Sequence, residues 1–187
     1  MSKAPRSARS FEKIEDGDLE RLAEIAVATL RREFERRPNM PAFEEGELLG
    51  ICLCLGAADH YLDYQSRKSC GIHDFDVFAF FEPQKVFRFG NKRPATADFG
   101  PSKFGRSRLD PKRFTGRRVD VFWRAIPNKI SLDPMGPVDA YFRDSESATA
   151  SELRTRAAVV IWPWDNRGRV LWNPHQLGKP ASYDPWD

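Results

Sequence analysis

Two stretches of the chain combine aromatic and β-branched residues in a pattern typical of β-strands. The first covers residues 75–81 and has the sequence Phe-Asp-Val-Phe-Ala-Phe-Phe. The second covers residues 117–126, includes Val-Asp-Val-Phe-Trp, and is ended by Pro127. We therefore predict two strands, which could lie side by side in one sheet.

The rest of the hydrophobic pattern predicts helices around a sheet. Apolar residues three and four positions apart predict an amphipathic helix over residues 18–37. Periodicity does not separate helix from strand over residues 44–55. The other predicted elements are two short helices at residues 138–144 and 145–156 and a strand hairpin of residues 157–162 and 169–172. Together they predict a single α/β domain of the α+β kind, a mixed sheet flanked by helices, over residues 16–187.

Two aspartates stand at the entrance of the first predicted strand. Side chains alternate along a strand, so Asp74 and Asp76 are expected on one face, while His73 and Phe75 face the other way. Asp120 of the second strand could join the two aspartates on their face. Carboxylates crowded together repel one another unless a divalent cation lies between them. The sequence therefore predicts a metal site formed by these three aspartates.

Basic residues are concentrated between the two predicted strands. The whole chain has a formal net charge of +3, whereas residues 85–118 contain eleven Lys or Arg and only two Asp. Phenylalanines are interspersed among these cations, at Phe87, Phe89, Phe99, Phe104 and Phe114. Basic residues neutralise phosphates and exposed rings stack on bases, so this loop could take RNA as an acceptor. The alternative is a solvated loop with buried phenylalanines. The basic residues are Lys85, Arg88, Lys92, Arg93, Lys103, Arg106, Arg108, Lys112, Arg113, Arg117 and Arg118.

Length and composition favour one globular domain. The chain has 187 residues, of which 41% are hydrophobic, enough to bury one core. No apolar run is long enough to cross a bilayer, so no membrane partner is expected. The odd number of cysteines, three, indicates reduced thiols and a cytoplasmic location. Residues 1–15 are basic and are expected to form a disordered tail.

Three short motifs resemble those of the polymerase-beta-like nucleotidyltransferase superfamily, particularly its small bacterial members similar to abortive-infection and toxin nucleotidyltransferases. In that superfamily a Gly followed by Gly or Ser ends an early element, an Asp-x-Asp pair lies on the next strand, and a third carboxylate lies on a later strand. The resemblance covers residues 48–126. The matching motifs are Leu55-Gly56-Ala57-Ala58-Asp59-His60-Tyr61, His73-Asp74-Phe75-Asp76-Val77 and Val119-Asp120-Val121.

The resemblance implies a nucleotidyltransferase-like fold and transfer of a nucleotide from a nucleoside triphosphate to an acceptor. Asp74, Asp76 and Asp120 would be the catalytic residues and would bind two Mg²⁺ or Mn²⁺ ions, which clamp the attacking and leaving oxygens. Asp120 could also help to deprotonate the acceptor hydroxyl. The acceptor class stays open among RNA, a protein side chain and a small alcohol.

Nucleotide binding is implied for residues that precede the Asp-x-Asp motif. The backbone N–H groups of Gly56 and Ala57 would bind the triphosphate, helped by a helix dipole. Arg67 and Lys68, just before the strand, would be phosphate ligands. Ala57 departs from the family pattern of Gly or Ser, so no serine hydroxyl is available there to hold a phosphate.

Two other functions compete with nucleotidyl transfer. A catalytically silent domain of the same fold, binding nucleic acid or a partner protein, is favoured by Ala57 and by the large basic loop. The intact set of carboxylates opposes it. A metal nuclease would use the same carboxylates, but no Glu-x-Lys follows in a matching strand. The nucleotide used and the oligomeric state stay open.

Overall fold

The computed structural model describes residues 9–37, 43, 45–64, 71–82, 93–127 and 131–176. These residues form one six-stranded mixed sheet with helices on both faces. The predicted α+β fold is thereby confirmed. The helices are α1 (Asp16–Glu35), α2 (Leu55–Asp63), α3 (Gly136–Asp144) and α4 (Ala148–Leu153), and the strands are β1 (Leu48–Cys54), β2 (Phe75–Phe81), β3 (Ala95–Asp98), β4 (Arg118–Ala125), β5 (Ala158–Trp162) and β6 (Val170–Trp172).

The two strands predicted from their aromatic pattern are β2 and β4, and they are parallel neighbours. The strand order across the sheet is β3-β4-β2-β1-β5-β6. All the other neighbouring pairs of this sheet are antiparallel, including the predicted hairpin of β5 and β6. Parallel strands need a crossover connection, and here that connection contains the basic segment of residues 85–118. The described part of the basic segment therefore leads directly into β4.

Alternation along β2 divides its side chains between two hydrophobic cores. Phe75, Val77 and Ala79 belong to the larger core, which α1 and α2 cover. Phe78 and Phe80 belong to the smaller core, which α3 and α4 cover. Asp76, between Val77 and Phe75 in sequence, therefore projects on the face of α3 and α4.

The first helix packs where its apolar period predicts. It covers Asp16–Glu35 rather than residues 18–37, and the Asp18 carboxylate accepts a hydrogen bond from the Glu15 N–H, 2.8 Å away, at its start. The chain before it is also packed: Ile14 is buried, and Ser10 pairs with Ile72 in an isolated β-bridge. Residues 9–15 of the predicted tail are therefore placed on the domain, and residues 1–8 lie outside the described residues.

In the ambiguous stretch of residues 44–55, Glu45–Glu47 form a 3-10 helix, Leu48–Cys54 form strand β1, and Leu55 begins α2; residue 44 lies outside the described residues. Leu55, at the junction, has a φ of 60°, in the left-handed region that non-glycine residues seldom adopt. The Leu55 N–H donates to the carbonyl oxygen of Ala157, 3.1 Å away. This sharp junction brings the N-terminus of α2 directly against the end of the sheet.

The described part of the basic segment is more ordered than its sequence predicts. It contains the edge strand β3, which the Gly- and Pro-rich pattern did not indicate. The Asp98 carboxylate accepts hydrogen bonds from the N–H groups of Gly100, Thr115 and Gly116, at 2.9, 2.6 and 2.8 Å. Asp98 thereby draws the two ends of the loop together, and its pKa is held below the ordinary value because these hydrogen bonds outweigh its burial.

Close backbone contact closes the same loop. A Cβ atom added to Gly116 would lie 1.8 Å from the carbonyl oxygen of Gly100. Only a glycine permits this approach. The loop therefore returns to the sheet at a fixed point, immediately before β4.

In the part of the chain that the structure describes, no helix has the length and apolarity needed to cross a membrane.

Candidate active site

Strand register brings two of the predicted ligands side by side. Asp76 of β2 and Asp120 of β4 are direct partners in the parallel pairing. Asp74 lies in a bend one residue before β2, so it is near the strand but not in it. Because Phe75 pairs with Val119, continuing the register by one residue places Asp74 beside Arg118. The three aspartates thus lie at one end of the central strand pair.

An arginine lies between two of these aspartates. The Arg118 guanidinium forms ion pairs with Asp74 and with Asp120, the latter at 3.2 Å. Their side chains are 19% and 9% exposed, so both pairs are shielded from water. Burial alone would lower the pKa of Arg118, but its hydrogen bond to Asp74 and the charge of Asp120 raise it. The arginine is therefore a permanent cation at the centre of the cluster.

Asp76 has no such compensation. Burial, and then the charges of Asp74 and Asp120, raise the pKa of Asp76 from its ordinary 3.8 to about 7. The charge of Glu152 on α4 acts in the same direction, and only Arg118 opposes them. In this position the ionised carboxylate would be strongly stabilised by a further cation nearby.

Asp120 is partly compensated. Burial raises its pKa to about 6, although Arg118 acts in the opposite direction. Its Oδ2 pairs with Arg118, whereas Oδ1 is buried and has no hydrogen-bond partner among the described residues. A buried carboxylate oxygen without a hydrogen-bond partner costs free energy unless a ligand binds it.

His73 differs from its sequence-based prediction. It was expected to face away from the carboxylates, but its Nδ1 lies 3.4 Å from the Asp74 carboxylate. Strand alternation fails here because His73 and Asp74 both precede β2. The bend is fixed by Arg117, which is 2% exposed and donates hydrogen bonds to the carbonyl oxygens of His73 (3.3 Å) and Phe104 (2.6 Å).

The N-terminus of α2 lies one strand away from Asp76. Cys54, the residue before α2, is the direct β1 partner of Asp76. The side chain of the N-cap residue Cys54 makes no capping hydrogen bond, and the Leu55 N–H already donates to Ala157, so Gly56 and Ala57 carry the first N–H groups that a ligand could bind. Ala57 is buried in the larger core, and a Cβ atom at Gly56 would meet nothing within 4 Å. Crowding by described residues therefore does not explain the glycine.

Other predicted contacts have mixed outcomes. Arg67 and Lys68 lie outside the described residues. Phe99, Phe104 and Phe114 are buried, and the first two pack against Phe75, with ring centroids 5.2 Å apart in each case. The alternative of buried phenylalanines is therefore confirmed for these three rings, which cannot stack on RNA bases, and Phe87 and Phe89 lie outside the described residues.

Apart from Arg118, the basic residues of the described segment divide into two groups. Arg117 is buried, and Lys103 pairs with Glu15 and Asp18 at 2.8 and 2.9 Å. These two cations hold the fold together. The second group lies on the solvent-exposed surface and consists of Arg93, Arg106, Arg108, Lys112 and Arg113.

Sequence reasoning missed Arg118 and Glu152 as members of the site. Arg118 was grouped with the basic loop, although its position two residues before Asp120 on one strand places both on the same face. That spacing was the signal that could have identified it. Glu152 is brought near Asp76 by the packing of α4, for which the sequence has no local signal.

The three carboxylates are ligands that suit a hard divalent cation, but their positions in this structure do not bring all three to one point. Carboxylate oxygens are the ligands that Mg²⁺ prefers, and the Asp120 Oδ1 atom is orphaned. With the side chains placed as they are, no three His, Cys, Asp or Glu residues of the described ranges are grouped so that they could hold one ion. In this arrangement Asp74 and Asp120 form ion pairs with the Arg118 guanidinium, which lies where a shared metal ion would have to bind.

Comparison of the chain with protein-family models, with curated proteins and with solved structures finds no match.

Proposed function

We propose that the protein is a metal-dependent nucleotidyltransferase, which transfers a nucleotide from a nucleoside triphosphate to an acceptor. The observation that supports it is the pairing of Asp76 with Asp120 on parallel strands, beside the uncapped N-terminus of α2. Carboxylates for metal and N–H groups for phosphate are the two components that this chemistry requires. RNA, a protein side chain and a small alcohol are the acceptor classes.

The chain's own residues have distinct roles in this proposal. Asp74, Asp76 and Asp120 hold Mg²⁺ or Mn²⁺, and the N–H groups of Gly56 and Ala57 bind the triphosphate. When bound, the metal supplies charge neutralisation at the reacting phosphate. The acceptor oxygen forms a bond to the α-phosphorus, the bond from that phosphorus to the β-phosphate oxygen breaks, and pyrophosphate leaves.

Asp120 is also the proposed general base. Without metal, burial above all raises its pKa to about 6, and its buried Oδ1 atom has no hydrogen-bond partner among the described residues and is free to accept a proton. The acceptor hydroxyl proton passes to its carboxylate as the new bond forms. In the metal-free protein Arg118 pairs with this carboxylate.

A catalytically silent domain is the second candidate, and one observation favours it. Arg118 already compensates Asp74 and Asp120 without a metal. In a silent domain this arrangement would be permanent, and nucleic acid or a partner protein would bind elsewhere on the surface. The exposed basic residues of the segment 85–118 are the part of the described surface that suits nucleic acid.

We further propose a cytoplasmic location. Cys52 and Cys54 are free and buried, and burial raises the pKa of both thiols, which keeps them protonated and unreactive. Reduced, buried thiols are typical of a reducing compartment.

Calorimetry separates the two candidate functions. Each nucleoside triphosphate is titrated into the protein with Mg²⁺ and, in a parallel set, with EDTA. The transferase predicts binding of at least one triphosphate that needs Mg²⁺ and is lost in Asp76→Asn. The matched control is Asp139→Asn, because Asp139 lies on α3 and pairs with Arg143 at 3.0 Å, outside the carboxylate cluster.

The control variant should bind like the wild type. If no triphosphate binds in a Mg²⁺-dependent way, or if Asp76→Asn binds as well as Asp139→Asn, the transferase proposal is contradicted and the silent domain is favoured.

A further inference from the structure

Arg118 is joined to the carboxylate cluster by the register of the sheet. It begins β4, two residues before Asp120, and lies beside Asp74 across the parallel pair. Its guanidinium is therefore directed at both carboxylates by the backbone. The Arg118 side chain is 29% exposed, and so it has a route to solvent that the more deeply buried Asp120 lacks.

The arginine neutralises the cluster only in part. Ion pairs join it to Asp74 and Asp120, whereas Asp76 has none with a described residue. The Asp120 Oδ1 atom is buried without a partner among the described residues. One guanidinium does not neutralise three carboxylates, so a further cation would stabilise the cluster.

The Arg118 side chain is also incompletely satisfied. Its Nε atom is buried and has no hydrogen-bond partner in the described structure. Among the described residues, the guanidinium contacts Asp74 and Asp120 through its Nη2 atom. Turning it outward would break those two ion pairs and would expose the Nε to water.

A divalent ion and this guanidinium cannot both occupy the space between Asp74 and Asp120. Like charges a few ångströms apart repel strongly where water is partly excluded. The other charged groups that act on the site are Asp110, Glu152, Arg117 and His73, and the two acids among them favour any cation.

We propose that Arg118 is an internal counter-cation, which pairs with Asp74 and Asp120 in the metal-free protein and is displaced when a divalent metal binds. This inference rests on the proposed function, since it concerns the same site. It makes Arg118 a positioning residue: it keeps the cluster folded without metal and sets how tightly metal is bound. Removal of the guanidinium should therefore tighten metal binding, whereas a merely structural arginine would weaken it.

The test is Mn²⁺ binding at pH 8, measured by calorimetry on the full chain. Arg118→Gln removes the competing charge and keeps a planar polar group, while Arg118→Lys keeps the charge. The matched control is Arg169→Gln, which removes an arginine paired with Asp133 at 2.8 Å outside the cluster and changes the net charge equally. We expect Arg118→Gln to bind Mn²⁺ at least tenfold tighter than the wild type, about 1.4 kcal/mol. Arg118→Lys and Arg169→Gln should stay within about threefold of the wild type, a difference of about 0.65 kcal/mol or less.

The outcomes separate this inference from the proposed function. If wild type binds Mn²⁺ and Arg118→Gln binds equally or more weakly, the counter-cation is contradicted while the metal site stands. If Arg118→Gln binds and wild type does not, the counter-cation is supported in its strongest form. If no folded variant binds Mn²⁺, the proposed function fails, and this inference fails with it.

A measurement on the unmutated protein covers the case in which Arg118→Gln does not fold. In NMR spectra of arginine side chains, Mg²⁺ should release the Arg118 guanidinium from its restricted state, seen as a shifted and faster-exchanging Hε signal. Arg154, whose guanidinium donates to the carbonyl oxygens of Phe142 and Ser145, is the internal reference. An Arg118 signal that does not change at saturating Mg²⁺ would contradict displacement.

Discussion

The aspartate at position 76 is placed where a carboxylate is unfavourable without a cation. Burial and two neighbouring acids raise its pKa to about 7. Functional sites often retain such groups at a cost in stability, because the unfavourable charge is what binds the ligand. Asp76 is therefore the residue at which function and stability should separate most clearly.

The metal-free protein should lose stability as Asp76 ionises. Its folded pKa is about 7 and its ordinary pKa is 3.8, so the folded state binds more protons between these values and stability falls as pH rises through them. Asp76→Asn removes this loss. We expect its advantage in unfolding free energy over wild type to grow from pH 4.5 to pH 8. The advantage should reach a few kcal/mol, since a difference of one in pKa between the folded and unfolded states corresponds to about 1.4 kcal/mol.

Urea unfolding in EDTA at these two pH values measures the advantage. Asp139→Asn serves as control and should show no such growth. An Asp76→Asn difference that is the same at both pH values would contradict the pKa assigned to Asp76.

Individual site residues were predictable where strand alternation applied. Asp76 and Asp120 lie within strands with a clear apolar pattern, and the face on which each side chain lies follows from it. His73 was misplaced because the strand begins two residues later, and Arg118 was assigned to the loop because its charge matched its neighbours there. Local pattern could not indicate which residues a parallel register would bring together.

At the scale of elements, the N-terminus of α2 is the feature that distinguishes nucleotide binding from metal binding alone. Gly56→Glu tests it. The added Cβ meets nothing within 4 Å and a carboxylate is favourable at a helix N-terminus, so the fold should stay intact. Its negative charge occupies the place proposed for phosphate, so we expect triphosphate binding to fall at least tenfold in calorimetry.

The control for this variant is Gly17→Glu. Gly17 lies in the first turn of α1, and a Cβ atom added there would likewise meet nothing within 4 Å. The triphosphate affinity of this control should equal that of wild type. Equal binding by Gly56→Glu would remove α2 from the proposed nucleotide site.

The loop between β3 and β4 is a second element with a measurable consequence. In Gly116→Ala the new methyl group would overlap the Gly100 carbonyl oxygen, 1.8 Å away. We expect a loss of a few kcal/mol in unfolding free energy, within the range of strongly destabilising substitutions. Gly46→Ala, at a position with nothing within 4 Å, is the control. A melting temperature for Gly116→Ala equal to that of the control would contradict the close approach.

Elements with a clear period were predicted more accurately than those defined by long-range contact. Helix α1 and strands β2, β4 and β5 have apolar patterns that identify them within a few residues. Strand β3 has the sequence Ala-Thr-Ala-Asp, without a strand-like pattern, and exists because β4 offers it a free edge. Tertiary pairing, rather than local propensity, determines such a strand.

At the scale of the whole molecule, the distribution of charge suggests how RNA would be bound if RNA is the acceptor. The phenylalanines Phe99, Phe104 and Phe114 are buried, so RNA binding would depend on contacts between exposed Lys or Arg side chains and the phosphates of the RNA. The triple variant Arg108→Gln/Lys112→Gln/Arg113→Gln should weaken binding of single-stranded RNA. The slope of log affinity against log salt concentration should become shallower by about 2, because each lost phosphate contact contributes roughly 0.7.

Fluorescence anisotropy at several salt concentrations measures this slope. A triple variant with the wild-type affinity and salt slope would show that the described part of the basic segment does not bind RNA.

The central claim is nucleotidyl transfer, and its most direct test is transfer of label from α-phosphate-labelled nucleoside triphosphates to total cellular RNA and protein, with Mg²⁺ or Mn²⁺. Wild type, Asp76→Asn and Asp139→Asn are run side by side. We predict label on one acceptor class with wild type and Asp139→Asn, and none with Asp76→Asn, although the latter should be the more stable protein at pH 8. Absence of label from all three with every triphosphate and both metals, or equal label with Asp76→Asn, would contradict the account.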